Sequence, residues 1–170
     1  MKKVIFLDFD GVLNTGKYQA QLKEMGVKGA DEFGLLFDPE AVENLKMIID
    51  AVPSALIVIN STWKFEGLDW MKTLWRKRGM PGAVHSVTPY YQFDFAQMDP
   101  DELSTAMTAQ KGFDIKQWVK DYSPKGCAYV ILDDDKRVFL PEQMEKLVMT
   151  DDYCGLTVEN SKAAIDILMK

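Results

Sequence analysis

Residues 3–13 read KVIFLDFDGVL, an apolar run that ends abruptly in two aspartates and a glycine. A run of apolar residues without polar alternation is typical of a parallel strand that is buried on both faces. We therefore predict a strand over residues 3–8. Gly11 permits the sharp turn that has to follow it. Asp8 and Asp10 are thus expected where a buried strand leaves its sheet.

Strands and amphipathic helices alternate along the rest of the chain. The patterns predict further strands at 55–60, 83–87, 128–132 and 147–150. Helices are predicted at 39–50 after the N-cap Asp38, at 67–78, at 114–121, from Pro141, and from Val158 after the N-cap Thr157. Residues 89–112 are predicted to be irregular. This alternation is typical of the α/β class, with a doubly wound, Rossmann-like parallel sheet of about five strands and helices on both faces.

Composition limits the class of protein. The chain has 170 residues, of which 47% are hydrophobic and 27% charged, so we expect a single domain over residues 1–170. No apolar run is long enough for a membrane span, and the two cysteines have no disulfide or metal spacing, which favours the cytoplasm. The net charge of −6 disfavours a charge-driven grip on a nucleic-acid duplex. Nothing indicates an obligate protein partner.

Acidic residues follow two of the predicted strands. Ligands bind beyond the carboxyl ends of strands in open α/β sheets, and Asp8 and Asp10 follow the first strand, as Asp133 and Asp134 follow the fourth. Like charges at such short range are costly unless a cation neutralises them. An all-oxygen set of ligands suits Mg²⁺. Turn and cap formation would explain one acidic strand end, but two favour a metal site.

The residue types at the strand ends also match phosphoryl transfer. This reaction needs a nucleophile, a cation and fixed donors for the phosphoryl oxygens. Asp8 can attack phosphorus and form an aspartyl-phosphate. Asp10 can protonate the leaving oxygen and then activate water. Ser61, after the second strand, and Lys111, before the helix that feeds the fourth strand, can hold the phosphoryl oxygens.

Four segments resemble the motifs of the haloacid dehalogenase (HAD) superfamily of phosphatases. Residues 6–13 resemble its first motif, DxDG[VT], and the strand ending at Ser61, the isolated Lys111 and residues 131–134 (ILDD) follow in the order of the other three. Further segments resemble the HAD domains of "Swiss army knife" RNA repair proteins, namely residues 61–64 (STWK), 87–89 (VTP), 111–118 (KGFDIKQW) and 155–157 (GLT). The resemblance spans the whole chain.

The resemblance implies roles for the acidic residues and a Mg²⁺ cofactor. Asp8 would be the nucleophile and a metal ligand, and Asp10 the acid/base, with its backbone carbonyl on the metal. Asp133 would be the second metal carboxylate, with Asp134 supporting or sharing that role. A third aspartate, Asp135, leaves the register of the fourth motif open by one residue.

The resemblance also implies that Ser61 and Lys111 bind the phosphate. Because the second strand ends in Asn60-Ser61-Thr62, a neighbour of Ser61 remains an alternative donor. Trp63 is expected either to contact the substrate or to pack on the core. The basic run at 76–78 is expected to be a solvated helix end that complements the helix dipole.

The substrate is expected to be phosphorylated and reached through a nearly open site. Residues 14–37 are long enough for a flap and residues 90–110 for a small lid, so the cap is minimal. Openness and the RNA-repair resemblance favour a nucleic-acid end or a nucleotide phosphate, whereas the acidic charge favours a small phosphomonoester.

Two readings from other classes compete with an enzyme. A phosphoacceptor receiver carries its aspartate after the third strand, where this chain has Val87-Thr88-Pro89. A non-catalytic phosphate-binding module is expected to have lost a catalytic residue, and none is missing.

Overall fold

The computed structural model describes residues 1–170. Seven strands are present: β1 (Lys3–Leu7), β2 (Ala30–Asp31), β3 (Gly34–Leu35), β4 (Ala55–Ile59), β5 (Val84–Val87), β6 (Ala128–Asp133) and β7 (Leu147–Met149). Five of them form one parallel sheet in the order β5-β4-β1-β6-β7, and β2 and β3 form a separate antiparallel hairpin. The predicted α/β class with a five-stranded parallel sheet is confirmed.

Six α-helices connect and cover the strands: α1 (Gly16–Glu24), α2 (Pro39–Ala51), α3 (Leu68–Lys77), α4 (Pro100–Thr108), α5 (Gln110–Tyr122) and α6 (Val158–Met169). Short 3₁₀ helices span Thr62–Glu66, Lys136–Val138 and Pro141–Lys146. The two predicted N-caps are in place, since Asp38 accepts the Glu40 N–H at 2.9 Å and Thr157 accepts the Asn160 N–H at 3.2 Å. None of the helices combines the length and the apolar character that a membrane crossing requires.

The central strand β1 is buried on both faces. Ile5 and Leu7 belong to the larger apolar cluster, which includes residues of α2, α3 and α6. Val4 and Phe6 belong to a second cluster with Trp118 of α5, whose ring lies 5.4 Å from that of Phe6. Helices on opposite faces of the sheet therefore explain why the strand shows no polar alternation.

The expectation of an irregular segment at 89–112 was wrong. Helix α4 lies within it and begins with a capping box. The Asp99 carboxylate accepts hydrogen bonds from N–H groups of the first turn, the Glu102 carboxylate accepts one from the Asp99 N–H, and Pro100 occupies the first helical position. This capping box is a local signal that could have been read from the sequence.

Helix α5 begins at Gln110, four residues earlier than predicted, so Lys111 lies in its first turn and not before the helix. Gly112 therefore lies within the helix. Its lack of a side chain permits close packing, since a Cβ atom there would lie 2.8 Å from the backbone nitrogen of Leu140. Packing against a distant segment thus explains a glycine within this helix.

The predicted flap at 14–37 contains α1 and the β2–β3 hairpin. Arg78, at the end of α3, donates to both carboxylate oxygens of Asp31 at 3.0 and 2.7 Å and to the carbonyl of Leu35 at 3.0 Å. Its guanidinium also lies 4.4 Å from the ring of Phe37. With its side chain 9% exposed, Arg78 is not the solvated helix end that was expected, because it anchors the hairpin.

Candidate active site

Parallel pairing brings three strand ends together. Leu7 of β1 pairs with Ile59 of β4 on one side and with Leu132 of β6 on the other. Asp8 therefore lies beside Asn60 and Asp133, the residues that follow. Strands β4 and β5 lie on one side of β1, and strands β6 and β7, which follow in the chain, lie on the other side. The strand order therefore reverses at β1, and this topological switch point is where such folds bind ligands.

Three carboxylates converge at this edge of the sheet. One oxygen each from Asp8, Asp133 and Asp134 lies within 4.8 Å of the others, and the first two side chains are buried. Gly11 makes room for this approach: its φ is +72°, and a Cβ atom there would lie 2.2 Å from Asp134 Oδ2. The glycine of the first motif is therefore required both by backbone conformation and by space.

Lys111 bridges two of these carboxylates. Its Nζ donates to Asp8 Oδ2 at 2.7 Å and to Asp133 Oδ2 at 2.6 Å. Burial lowers the pKa of Lys111, but the two carboxylates outweigh it and the net pKa is raised. Burial and the charge of Asp8 raise the pKa of Asp133 to about 7, and burial and Asp8 also raise the pKa of Asp134.

One ammonium group thus does not balance the three carboxylates, and the pKa values of Asp133 and Asp134 are raised first by burial and then by the charge of Asp8. The donor atoms are all oxygens, two of the three side chains are buried, and they converge on one point. These properties fit a hard divalent cation such as Mg²⁺.

The Asp10 side chain lies outside this cluster and is exposed. Its Oδ1 accepts from Asn14 Nδ2 at 2.7 Å, and its Oδ2 accepts from Trp63 Nε1 at 3.1 Å. The Trp63 ring also packs on Phe9, with centroids 5.4 Å apart. Trp63 therefore packs on the core as one of the two expectations had it, and its indole N–H in addition orients Asp10. Asn14 was missed, although it lies four residues after Asp10.

The second-motif residues differ in burial. Asn60 and Ser61 are buried, whereas Thr62 is exposed. The Ser61 hydroxyl accepts a long hydrogen bond of 3.4 Å from the Trp63 N–H and donates none to the protein. Ser61 and Lys111 line the same cavity, so the structure brings these two predicted residues together.

A buried ion pair lies behind the site, and the sequence did not reveal it. Lys64 Nζ donates to Asp114 Oδ2 at 2.6 Å, to Thr88 Oγ1 at 3.0 Å and to the Pro89 carbonyl at 3.1 Å. Burial lowers the pKa of Lys64, and Asp114 counters this. Three of the segments that carry the family resemblance, at 61–64, 87–89 and 111–118, meet in this pair.

The aspartates at the end of β6 occupy different positions. Asp133 is the last residue of β6 and pairs with Met149 of β7. Asp135 instead caps the 3₁₀ helix that follows, accepting the Arg137 N–H at 2.9 Å, and its carboxylate pairs with the Arg137 guanidinium. Asp135 is not part of the carboxylate cluster.

Comparison with known families agrees with this geometry. A family model described as "HAD domain in Swiss Army Knife RNA repair proteins" matches residues 4–161, which include all the strand-end residues described above. Neither the comparison with curated proteins nor that with solved structures found a match. The family supports HAD-type phosphatase chemistry on a phosphorylated substrate. Both the site and the match lead to one conclusion: the chain belongs to the family of HAD domains found in Swiss Army Knife RNA repair proteins.

Proposed function

We propose that the protein is a Mg²⁺-dependent phosphomonoesterase that acts through an aspartyl-phosphate on Asp8. The observation that carries this proposal is the bridge of Lys111 between Asp8 and Asp133, with a third carboxylate in the same cluster. It combines an anionic nucleophile, a cation for the phosphoryl oxygens and ligands for a metal at one strand edge.

The reaction has two steps. In the first, a carboxylate oxygen of Asp8 forms a bond to phosphorus while the bond from phosphorus to the leaving oxygen breaks, and Asp10 gives its proton to that oxygen. In the second, the Asp10 carboxylate removes a proton from water, the water oxygen bonds to phosphorus, and Asp8 is released with inorganic phosphate. Asn14 and Trp63 support this assignment because they hold Asp10 on the exposed side of the site.

Asp8, Asp133, Asp134 and the backbone carbonyl of Asp10 would hold the metal. A Mg²⁺ ion bound there would neutralise charge on the phosphoryl oxygens and on the carboxylates. Asp134 is included because one of its oxygens lies within 4.8 Å of those of the other two carboxylates.

Ser61 and Lys111 would donate hydrogen bonds to the phosphoryl oxygens. Ser61 is preferred to Thr62 because it is buried and its hydroxyl has no acceptor within the protein, whereas Thr62 is exposed. Lys111 is protonated at neutral pH, since its pKa is raised. A substrate phosphate would replace Asp8 and Asp133 as partners of its ammonium group.

We propose that the substrate is a nucleic-acid end or a nucleotide phosphate. We also propose that residues 1–170 form a single domain, with a flap at 14–37 and a small lid at 90–110. The name of the matching family, with its RNA repair proteins, supports this choice, as does the exposure of Asp10. The net charge of −6 favours a small phosphomonoester as the alternative.

The free thiols of Cys127 and Cys154 support a reducing, cytoplasmic location.

The test is hydrolysis of a generic aryl phosphate by the purified protein with Mg²⁺, beside the Asp8→Asn variant and an EDTA-treated sample. Both controls are expected to lose the activity, and activity that survives either one would contradict the mechanism. A panel of 3′- and 5′-phosphorylated oligonucleotides, mononucleotides and sugar phosphates then ranks the substrates. A preference for sugar phosphates would favour the alternative.

A further inference from the structure

A small cavity opens beside the phosphate-binding residues, beyond the carboxyl end of β4. Its volume is about 220 Å³, and Ser61 and Lys111 form part of its wall. Phe65 and Tyr90 form another part, with ring centroids 5.7 Å apart. Both rings are unusually accessible for aromatic side chains, at 65% and 51% exposed. An exposed aromatic pair next to a reaction site is a feature that a ligand would cover.

The charged groups in this wall already have partners within the protein. Lys64 uses its three donors on Asp114, Thr88 and Pro89. Asp114 accepts in addition from the Tyr91 N–H at 2.7 Å and from a neighbouring glutamine amide. The cavity therefore offers a ligand mainly carbon surface, in spite of the charges that lie beneath it.

Asn60 is the exception. Its side chain is buried in the same wall, and Nδ2 has no hydrogen-bond partner. The Thr88 hydroxyl donates to Asn60 Oδ1 at 2.8 Å and accepts from Lys64, which fixes the orientation of the amide. Buried donors of this kind nearly always have an acceptor in native proteins. The wall thus presents an aromatic surface, and the unsatisfied donor is buried beneath it.

The other side of the site is unsuited to a polyanion. A cavity of about 570 Å³ next to Asp134 is lined by four carboxylates against two basic side chains, from Asp134, Asp135, Asp151, Asp152, Lys136 and Arg137. Repulsion there would direct a phosphorylated chain to the side of Ser61 and Lys111. The group that bears the phosphate would then lie against Phe65 and Tyr90.

We propose that the 220 Å³ cavity binds the base of the nucleotide that carries the phosphate. Its volume is below the ~300–1,000 Å³ of sites that enclose a whole small molecule, which fits a single ring system. Base faces stack on aromatic side chains irrespective of sequence. This inference rests on the proposed phosphatase function and narrows its substrate class.

The test compares matched substrates with and without the base. The values of kcat/KM are measured for a nucleoside monophosphate against its sugar phosphate, and for an oligonucleotide phosphorylated on a terminal nucleotide against one phosphorylated on an abasic residue. For the wild-type protein we expect the substrate with the base to be favoured by roughly tenfold or more. Phe65→Ala and Tyr90→Ala are expected to bring this ratio towards one.

Two further variants separate stacking from a general loss of structure. Tyr90→Phe keeps the ring and should keep the ratio. Phe95→Ala removes an aromatic side chain that is 57% exposed but does not line this cavity, and it should keep the ratio as well. Urea midpoints for all variants show whether they are folded.

The outcomes distinguish the two proposals. A wild-type ratio near one, a ratio that Phe65→Ala and Tyr90→Ala both leave unchanged, or a preference for a phosphotyrosine peptide over every nucleotide would overturn the base-binding site and leave the phosphatase proposal intact. Absence of hydrolysis of any phosphomonoester, including an aryl phosphate with Mg²⁺, would overturn both.

Discussion

Asp114→Asn tests the buried ion pair on which the walls of the site depend. The substitution keeps the shape of the side chain but removes its charge. The Lys64 ammonium then has only neutral partners, among them Thr88 Oγ1 and the Pro89 carbonyl, in a place where the side chains of the pair are 6% and 1% exposed. Removal of one partner from a buried pair costs ~3–5 kcal/mol, because the other charge is left uncompensated.

We expect the lower end of this range, about 3 kcal/mol, because Lys64 has two remaining acceptors and can lose its proton. Burial already lowers the pKa of Lys64, and Asp114 opposes that shift. Without Asp114 the pKa falls further below the value in the unfolded chain. The unfolded state then binds more protons than the folded state, so the loss of stability is larger at pH 6 than at pH 9.

The assay is urea unfolding followed by tryptophan fluorescence. Asp50→Asn is the matched control, since Lys46 and Asp50 also form an ion pair but are 52% and 62% exposed, and the loss of this solvent-screened pair should leave the urea midpoint nearly unchanged. Lys64→Met combined with Asp114→Asn should regain stability relative to Asp114→Asn alone, because no unpaired charge remains. A loss for Asp114→Asn as small as that of the control would refute the reasoning, and so would a double variant less stable than the single one.

Three further predictions concern the site itself. Trp63→Phe retains an aromatic ring but removes the hydrogen bond from the indole N–H to Asp10. We expect kcat to fall by roughly tenfold on an alkyl phosphate and by less on an aryl phosphate, because the aryl leaving group needs little protonation. Equal losses on the two substrates would argue against a role of Trp63 in orienting Asp10. Gly11→Ala places a Cβ atom 2.2 Å from Asp134 Oδ2, at a residue whose φ is +72°. We expect the variant to lose at least ~1 kcal/mol of stability and to bind Mg²⁺ more weakly in calorimetry. Unchanged Mg²⁺ binding would contradict the proposed metal site. The pKa of Asp133 is about 7 in the folded protein against an ordinary 3.8. In EDTA, protonated Asp133 should therefore contribute stability that is fully present below pH 3.8 and is lost as the pH rises through about 7. Asp133→Asn should remove this pH dependence of the urea midpoint, and a profile that the substitution leaves unchanged would contradict the prediction.

Local patterns were sufficient for the framework of the sheet. An apolar run followed by Asp8, Asp10 and Gly11 identifies a buried strand and its turn, because burial on both faces leaves no polar alternation and a tight turn needs a glycine. The order of the later motifs likewise placed Asp133 and Asp134 at the end of another strand, the one predicted at 128–132. The start of α5 at Gln110 was missed, and the glycine in its first turn is explained only by contact with Leu140, far along the chain.

Other features depend on residues that only the folded chain brings together. Lys64 and Asp114 are 50 residues apart, and Trp63 and Asp10 are 53 apart, so no periodicity within one element connects them. The pairing register of the parallel strands decides that Asp133 lies beside Asp8. The sequence alone was sufficient to predict the strands of the sheet and to propose Asp8 as the nucleophile, since both follow from local patterns. Which side chains surround and contact Asp8 was decided by tertiary structure, because hydrogen bonds and charge pairs depend on distances in space.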